Sequence, residues 1–271
     1  MEQLLISMTA PLLRSIQCIA DKLHSLPHLY PNPEVNGLFH NLVNTVQAHD
    51  SLNYEHCIHG HNLHDLAKHL QHACSTGEFA LEQYWSNKIF EARNSRMALA
   101  TFPYFQNYQQ LMDLEASQLP PKNKGGKILF VGSGPLPLSA ILLTQTYGWQ
   151  VDCLDYSSIA YQQGKDLSKK LAIRNINFIH GDILQYTELK QYQAVIIGAL
   201  VGENSQEKEQ ILKHIHQHIA RYTKVLVRSS HGLRELLYPS IELATLGYWQ
   251  IEKAVHPKNE IINSIIVLCK N

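Results

Sequence analysis

The sequence predicts an α/β protein: a doubly wound, seven-stranded, mostly parallel sheet over residues 121–271, preceded by an all-helical domain over residues 1–120. Two observations predict it. After Pro121, short apolar runs alternate with amphipathic segments, the grammar of strand–helix–strand units. Before it, apolar residues recur at helical spacing and no such runs occur. The two patterns meet at LEASQLPPKNKGG (114–126), where paired prolines and Lys-Asn-Lys-Gly-Gly read as a linker.

In the first part, MEQLLISMTAPLLRSIQC begins with an acid at position 2 and amphipathic spacing. Lacking a basic leader, it reads as a first helix and not as a signal peptide. LHSLPHLYPNPEV (23–35) holds three prolines and predicts a loop. Val35, Leu38, Leu42 and Val46 then form one helical stripe, and Leu63 to Leu81 repeats that pattern less regularly.

In the second part the expected strands are KILFVGSG, WQVDCLDYS, INFIHGD, AVIIGALVG, KVLVRSS, YWQIEKAV and INSIIVLCK. Between them SSIAYQQGKDLSKKLA and SQEKEQILKHIHQHIARY read as helices. In the latter, Ile211, Ile215 and Ile219 recur every four residues, and Asn204 stands three residues before Glu207 as a capping box. The last two strands follow one another closely, so one of them is expected antiparallel at the sheet edge.

Composition narrows the function. Lys and Arg total 23, as do Asp and Glu, so no net field favours nucleic acid or an anionic membrane. No apolar run reaches the roughly 20 residues of a membrane span. Five cysteines without a CxxC argue against a disulfide framework or a zinc ribbon. The expectation is a soluble, cytoplasmic protein. The 16 histidines include a run at His56, His59, His61, His64, His69 and His72, but no set completes a tetrahedral site, so no bound metal is expected.

Gly132-Ser133-Gly134-Pro135 follows the first expected strand. Glycines there let a ligand approach the backbone at a helix N-terminus. Asp155 ends the second strand, where a carboxylate accepts from ribose hydroxyls, and Tyr156 follows it. Asp182, after the third, is placed to accept from an adenine amino group. A nicotinamide fingerprint wants a third glycine where Pro137 stands, and no Walker Gly-Lys-Ser/Thr occurs. Together these residues favour S-adenosylmethionine as co-substrate, on a Rossmann-like class I S-adenosylmethionine-dependent methyltransferase fold.

Several longer strings resemble the nicotianamine synthase family: GSGPLPLS at Gly132–Ser139; ALVG at Ala199–Gly202; Arg228-Ser-Ser-His231-Gly-Leu-Arg234, then Leu237-Tyr238-Pro239; and His256-Pro257 with Glu260-Ile-Ile-Asn-Ser264. In the helical part, Phe102-Pro103-Tyr104-Phe105-Gln106-Asn107-Tyr108, then Leu114-Glu115, resembles FPYxxNY…LE. Glu34–Phe39 and Leu81-Glu82 add further matches. Plant members read AEGxLE where this chain has Gly77-Glu78-Phe79-Ala80-Leu81-Glu82, and they tend to have His at Tyr84.

The resemblance implies transfer of the 3-amino-3-carboxypropyl group of S-adenosylmethionine to an amino-acid amine such as that of glutamate or histidine. It implies release of 5′-methylthioadenosine and a product, nicotianamine-like or its precursor, that chelates transition ions. The alternative is a small-molecule methyltransferase; a homodimer is left open. By the same resemblance Glu82 or Glu78 is the base and Tyr104 or Tyr108 its partner. Both pairs are 26 residues apart, so spacing does not choose, although Glu82 lies in the better-matched string. Glu78 and Glu82 at i,i+4 equally suit a solvated helix face, and the tyrosines suit helix packing. Ala199 and Leu200 join the cofactor-binding set, and Arg228, His231, Arg234 and Asn36 are expected to hold substrate carboxylates.

Overall fold

The computed structural model describes residues 2–49, 64–122, 125–257 and 261–270. They divide into two compact units, 1–81 with 230–240, and 82–229 with 241–271. The composition changes near residue 120, whereas the units divide at 81/82, so the helices after residue 81 belong to the unit that contains the sheet.

The first unit is helical. α1 (Glu2–Ser25) packs against α2 (Pro33–Ala48). Asn32 starts α2 by accepting from the backbone N–H groups of Glu34 and Val35, and Pro33 takes the first helical position, where its missing N–H costs nothing. The expected stripe turns inward: Val35, Leu42 and Val46 are buried. α3 (His64–Glu91) begins in this unit, and its last turns belong to the other. The segment 230–240 contributes a 3₁₀ stretch, Gly232–Leu236, that lies against α2.

The second unit adds α4 (Ser95–Ala100) and α5 (Phe105–Ala116), then a seven-stranded sheet. Its strands are β1 (Lys127–Val131), β2 (Gln150–Asp155), β3 (Ile176–His180), β4 (Ala194–Ile197), β5 (Lys224–Ser229), β6 (Gln250–Val255) and β7 (Ser264–Cys269). They lie in the order β3-β2-β1-β4-β5-β7-β6. The first five are parallel, and β7 runs antiparallel to both β5 and β6. All seven expected strands are therefore present, in the expected fold class.

One expectation is corrected: the antiparallel strand is not at the edge. β7 sits between β5 and β6, and β6 is the edge. Burial gives the reason. Every β7 residue is buried, whereas β6 is exposed until Val255, and an apolar run covered on both faces belongs inside a sheet.

α6 (Leu138–Gln145), α7 (Ser158–Lys170) and α8 (Ser205–His218) are the crossover helices. The α8 stripe of Ile211 and Ile215, continued by Ile219, packs into the core with Leu129, Val195, Val225 and Leu268. Asn204 caps α8 by accepting from the Glu207 N–H at 3.0 Å. The Glu207 carboxylate reaches back to the N–H of Glu203 and the side-chain amide of Asn204. The reciprocal arm of the capping box thus falls one residue earlier than in the simplest form.

Candidate active site

The C-terminal ends of β1, β2 and β4 meet at the strand-order reversal, where parallel sheets of this kind open a crevice. Gly132 and Gly134 follow β1 and both have positive φ, +73° and +69°. A side chain at either would be strained and obstructed. A Cβ on Gly132 would strike Val201, and one on Gly134 would strike the Glu82 carboxylate. Both glycines are required by backbone conformation and close approach together.

The turn is held from below by Asp155. Its carboxylate accepts from the Gly134 N–H and from the Ser157 N–H, each at 2.9 Å. Burial pushes the Asp155 pKa up, and those two N–H groups and His180 act in the opposite direction. Each carboxylate oxygen retains a lone pair for a further donor. Ser133 Oγ is buried beside the Cys153 thiol, with no nitrogen or oxygen partner among the described residues. A buried hydroxyl left in that condition, inside a glycine turn, fits a polar ligand. Pro135 is buried, Tyr156 is 80% exposed, and Asp182 is exposed and caps its own turn through the Leu184 N–H.

Glu82, on the last turns of α3, leans onto this turn. Its Oε2 accepts from the Leu136 N–H at 3.4 Å, and its Oε1 accepts from the Tyr108 hydroxyl at 3.3 Å. The structure therefore brings Glu82 and Tyr108 together beside Gly134. Tyr104 is at the start of α5, 44% exposed, with its ring edge-on to Phe102. In the first unit Glu78 accepts from the Tyr238 hydroxyl at 3.0 Å. That pairing was not anticipated, although Tyr238 stands in one of the recognised strings.

Arg228 is a correction. It was expected to grip a substrate carboxylate. It lies in β5, within the expected strand KVLVRSS, but its guanidinium forks onto Glu115, Nε to Oε1 at 2.7 Å and Nη2 to Oε2 at 3.0 Å. The same Nη2 reaches Ser139 at 2.8 Å. Glu115 is fully buried, and two-point pairing is the geometry that makes a buried pair tolerable. The pair ties α5, which carries Tyr108 two turns earlier, to β5 and to the first turn of α6. In the first unit Arg234 is buried, and His231 and Asn36 are less so, His231 half-buried and Asn36 exposed.

The loop after β4 completes the crevice wall. Gly198 N–H donates to Val131 at 3.0 Å, Ala199 and Leu200 line the loop, and Val201 covers Gly132. Lys208, which has no part in the sequence expectations, is buried and donates to the carbonyls of Ala199 and Val201. It falls on the same stripe of α8 as Ile211 and Ile215, and a lysine there was the available signal.

Among the described residues no group of three or more His, Cys, Asp or Glu side chains is arranged to hold a metal ion, and His56, His59 and His61 lie outside those residues. Nor is any helix among them long and apolar enough to cross a membrane.

Comparison with known proteins places this geometry in context. A family model described as nicotianamine synthase protein matches residues 6–271. Nicotianamine synthase 3 of Oryza sativa subsp. indica is 33% identical over 274 residues, covering 96% of this chain and 78% of the rice protein. Nicotianamine synthase 2 of Arabidopsis thaliana is 30% identical over 270 residues, covering 95% and 83%. Among solved structures, MtNAS in complex with MTA and tNA superposes with a TM-score of 0.83 at 21% identity, over 96% of this chain and 98% of that one. A glutamate-to-glutamine mutant of MtNAS in complex with S-adenosylmethionine gives a TM-score of 0.82 at 20% identity, over 94% and 96%. At those identities the solved structures establish the shared fold.

Proposed function

The chain belongs to the nicotianamine synthase family, and from that premise we propose how its residues divide the work of the reaction. The protein is an S-adenosylmethionine-dependent transferase. It moves the 3-amino-3-carboxypropyl group to an amine and releases 5′-methylthioadenosine, in the synthesis of nicotianamine.

A sulfonium offers three electrophilic carbons, and methyl is intrinsically the easiest to attack. Choosing the methylene of the methionine chain is a matter of orientation, an effect that reaches roughly 7–11 kcal/mol at its best. The amine lone pair forms the new C–N bond as the C–S bond breaks. The departing electron pair rests on sulfur as a neutral thioether, and the positive charge passes to nitrogen, which must shed a proton. Glu82 is the base for that proton and Tyr108 its partner. The observation that carries this assignment is the Glu82 carboxylate lying on the glycine turn between the Leu136 N–H and the Tyr108 hydroxyl. A carboxylate accepting two hydrogen bonds is held in one orientation, as a general base must be.

The adenosine half is assigned to the turn. Gly132 and Gly134 admit the backbone approach, Ser133 and Pro135 line it, Asp155 accepts from the ribose, and Asp182 accepts from the adenine amino group. Tyr156, Ala199 and Leu200 border the base. The acceptor is the amine of an amino acid, glutamate or histidine, with Arg234, His231 and Asn36 assigned to its carboxylate. The Glu78–Tyr238 pair is a second carboxylate–phenol couple available to an acceptor amine.

The test is incubation of the purified chain with S-adenosylmethionine and glutamate, histidine or no acceptor, with products read by mass spectrometry. The expected result is 5′-methylthioadenosine plus an acceptor enlarged by one or more aminocarboxypropyl units. S-adenosylhomocysteine with a methylated acceptor would overturn the reading.

A further inference from the structure

Lys208 is 2% exposed, and its side chain is bonded to backbone rather than paired with charge. Its ammonium donates to the carbonyl oxygens of Ala199 at 2.7 Å and Val201 at 2.9 Å. No carboxylate among the described residues forms an ion pair with it. A buried lysine in that position is costly, because burial removes the hydration of the ammonium and two neutral acceptors replace it only in part. Burial accordingly drives its pKa down to about 7. A leucine or isoleucine would continue the α8 stripe without that cost, so the lysine needs a reason.

The loop it holds supplies one. Residues 198–202 leave β4 and pass directly beside the glycine turn. Gly198 comes so close that a Cβ there would stand 3.0 Å from the Gly132 carbonyl oxygen. The Val201 side chain fills the space above Gly132, and Gly202, at φ +80°, brings the chain against the Cγ and backbone of Lys208. The carbonyls of Ala199 and Val201 are not part of any strand ladder, so without Lys208 nothing among the described contacts fixes both at once.

We propose that Lys208 is a positioning residue for the co-substrate: by binding the carbonyls of Ala199 and Val201 together, it holds the loop 198–202 in the shape that keeps Val201 on Gly132 and the adenosine wall in place. The inference rests on the reading that this loop borders S-adenosylmethionine. Lys208 touches neither substrate, and it acts on affinity through Val201.

The test compares full-length wild type, K208M, V201A and the double variant by calorimetry with S-adenosylmethionine and with 5′-methylthioadenosine, alongside turnover at saturating co-substrate. K208M is expected to weaken both ligands by about tenfold or more, to keep saturated turnover within about threefold, and to fold, since methionine replaces a buried cation. V201A, which leaves the lysine in place, is expected to weaken the same ligands. The double variant should be no weaker than the weaker single, because both act through one contact. Binding by K208M or V201A equal to wild type, or losses that simply add, would overturn the inference. Wild-type protein that takes up neither ligand would instead sink the functional reading on which it rests, so the two failures are distinct.

Discussion

Glu82 is where chemistry and backbone meet. Its carboxylate occupies the space a side chain on Gly134 would need, so the acid's position requires the glycine. Glu82→Gln keeps the shape and removes the basicity. It is expected to lower turnover by roughly 100- to 10,000-fold, the ordinary worth of a positioned general base. Calorimetric affinity for S-adenosylmethionine should stay within about threefold of wild type, since the glycine turn and Asp155 are untouched. Turnover retained in that variant would move the role to Glu78. Lys208 makes a separate prediction about pH. Its pKa is about 7 in the fold against an ordinary 10.5. Between those values the unfolded chain binds the proton and the folded chain does not, so stability from this group rises as pH rises through that window. Below pH 7 both states carry the charge and the burial penalty is complete. Glu207 and Glu209 flank it in the chain, and neither forms an ion pair with it. Urea melts of wild type and K208M at pH 6.5 and 9.5 should show wild type gaining relative to the variant at the higher pH; equal gains would refute the assignment.

Among the elements, α5 shows how a catalytic side chain is held at a distance. Tyr108 and Glu115 are two turns apart on one face, and the Glu115–Arg228 pair locks that face to β5 and Ser139. Removing one partner of a buried pair leaves an uncompensated charge. Arg228→Met or Glu115→Leu alone should therefore cost about 3–5 kcal/mol, while the double variant should recover most of it. Denaturant midpoints of the three proteins decide the matter, and single-variant midpoints unchanged from wild type would contradict it. This pair was not visible in the sequence, since 113 residues separate its members. What the sequence displayed was local: seven apolar runs between turn signals, the glycine turn, the acid ending β2, the cap at Asn204. What it hid was pairing across the chain. Two Glu–Tyr couples of equal spacing could not be told apart until Glu82 was seen beside Tyr108 and Glu78 beside Tyr238. Which of the last two strands lies inside the sheet was legible, for Ser264–Cys269 is apolar throughout its middle while Gln250–Val255 carries Glu252 and Lys253.

Over the whole molecule, the sequence's change of grammar near residue 120 is a poor place to cut. A fragment 121–271 would keep Arg228 and lose Glu115, and it would keep residues 230–240 while losing the helices of their own unit. That fragment is expected to lack a cooperative thermal transition, whereas the intact chain should show one, with circular dichroism as the readout. A sharp transition in the fragment would show that the sheet needs neither α5 nor its ion pair.

The segment 230–240 has a further consequence. The chain leaves the sheet unit after Ser229 and rejoins it at Ile241, whose N–H donates to Ser229 Oγ at 3.1 Å, so the excursion starts and ends at one spot. Its Glu235 carbonyl accepts from Gln71, and its Tyr238 reaches Glu78. During synthesis α1 and α2 emerge before the sheet, yet their unit stays unfinished until Tyr238 has left the ribosome. These helices thus wait on a much later segment, and their assembly is timed by the strands that must be made in between.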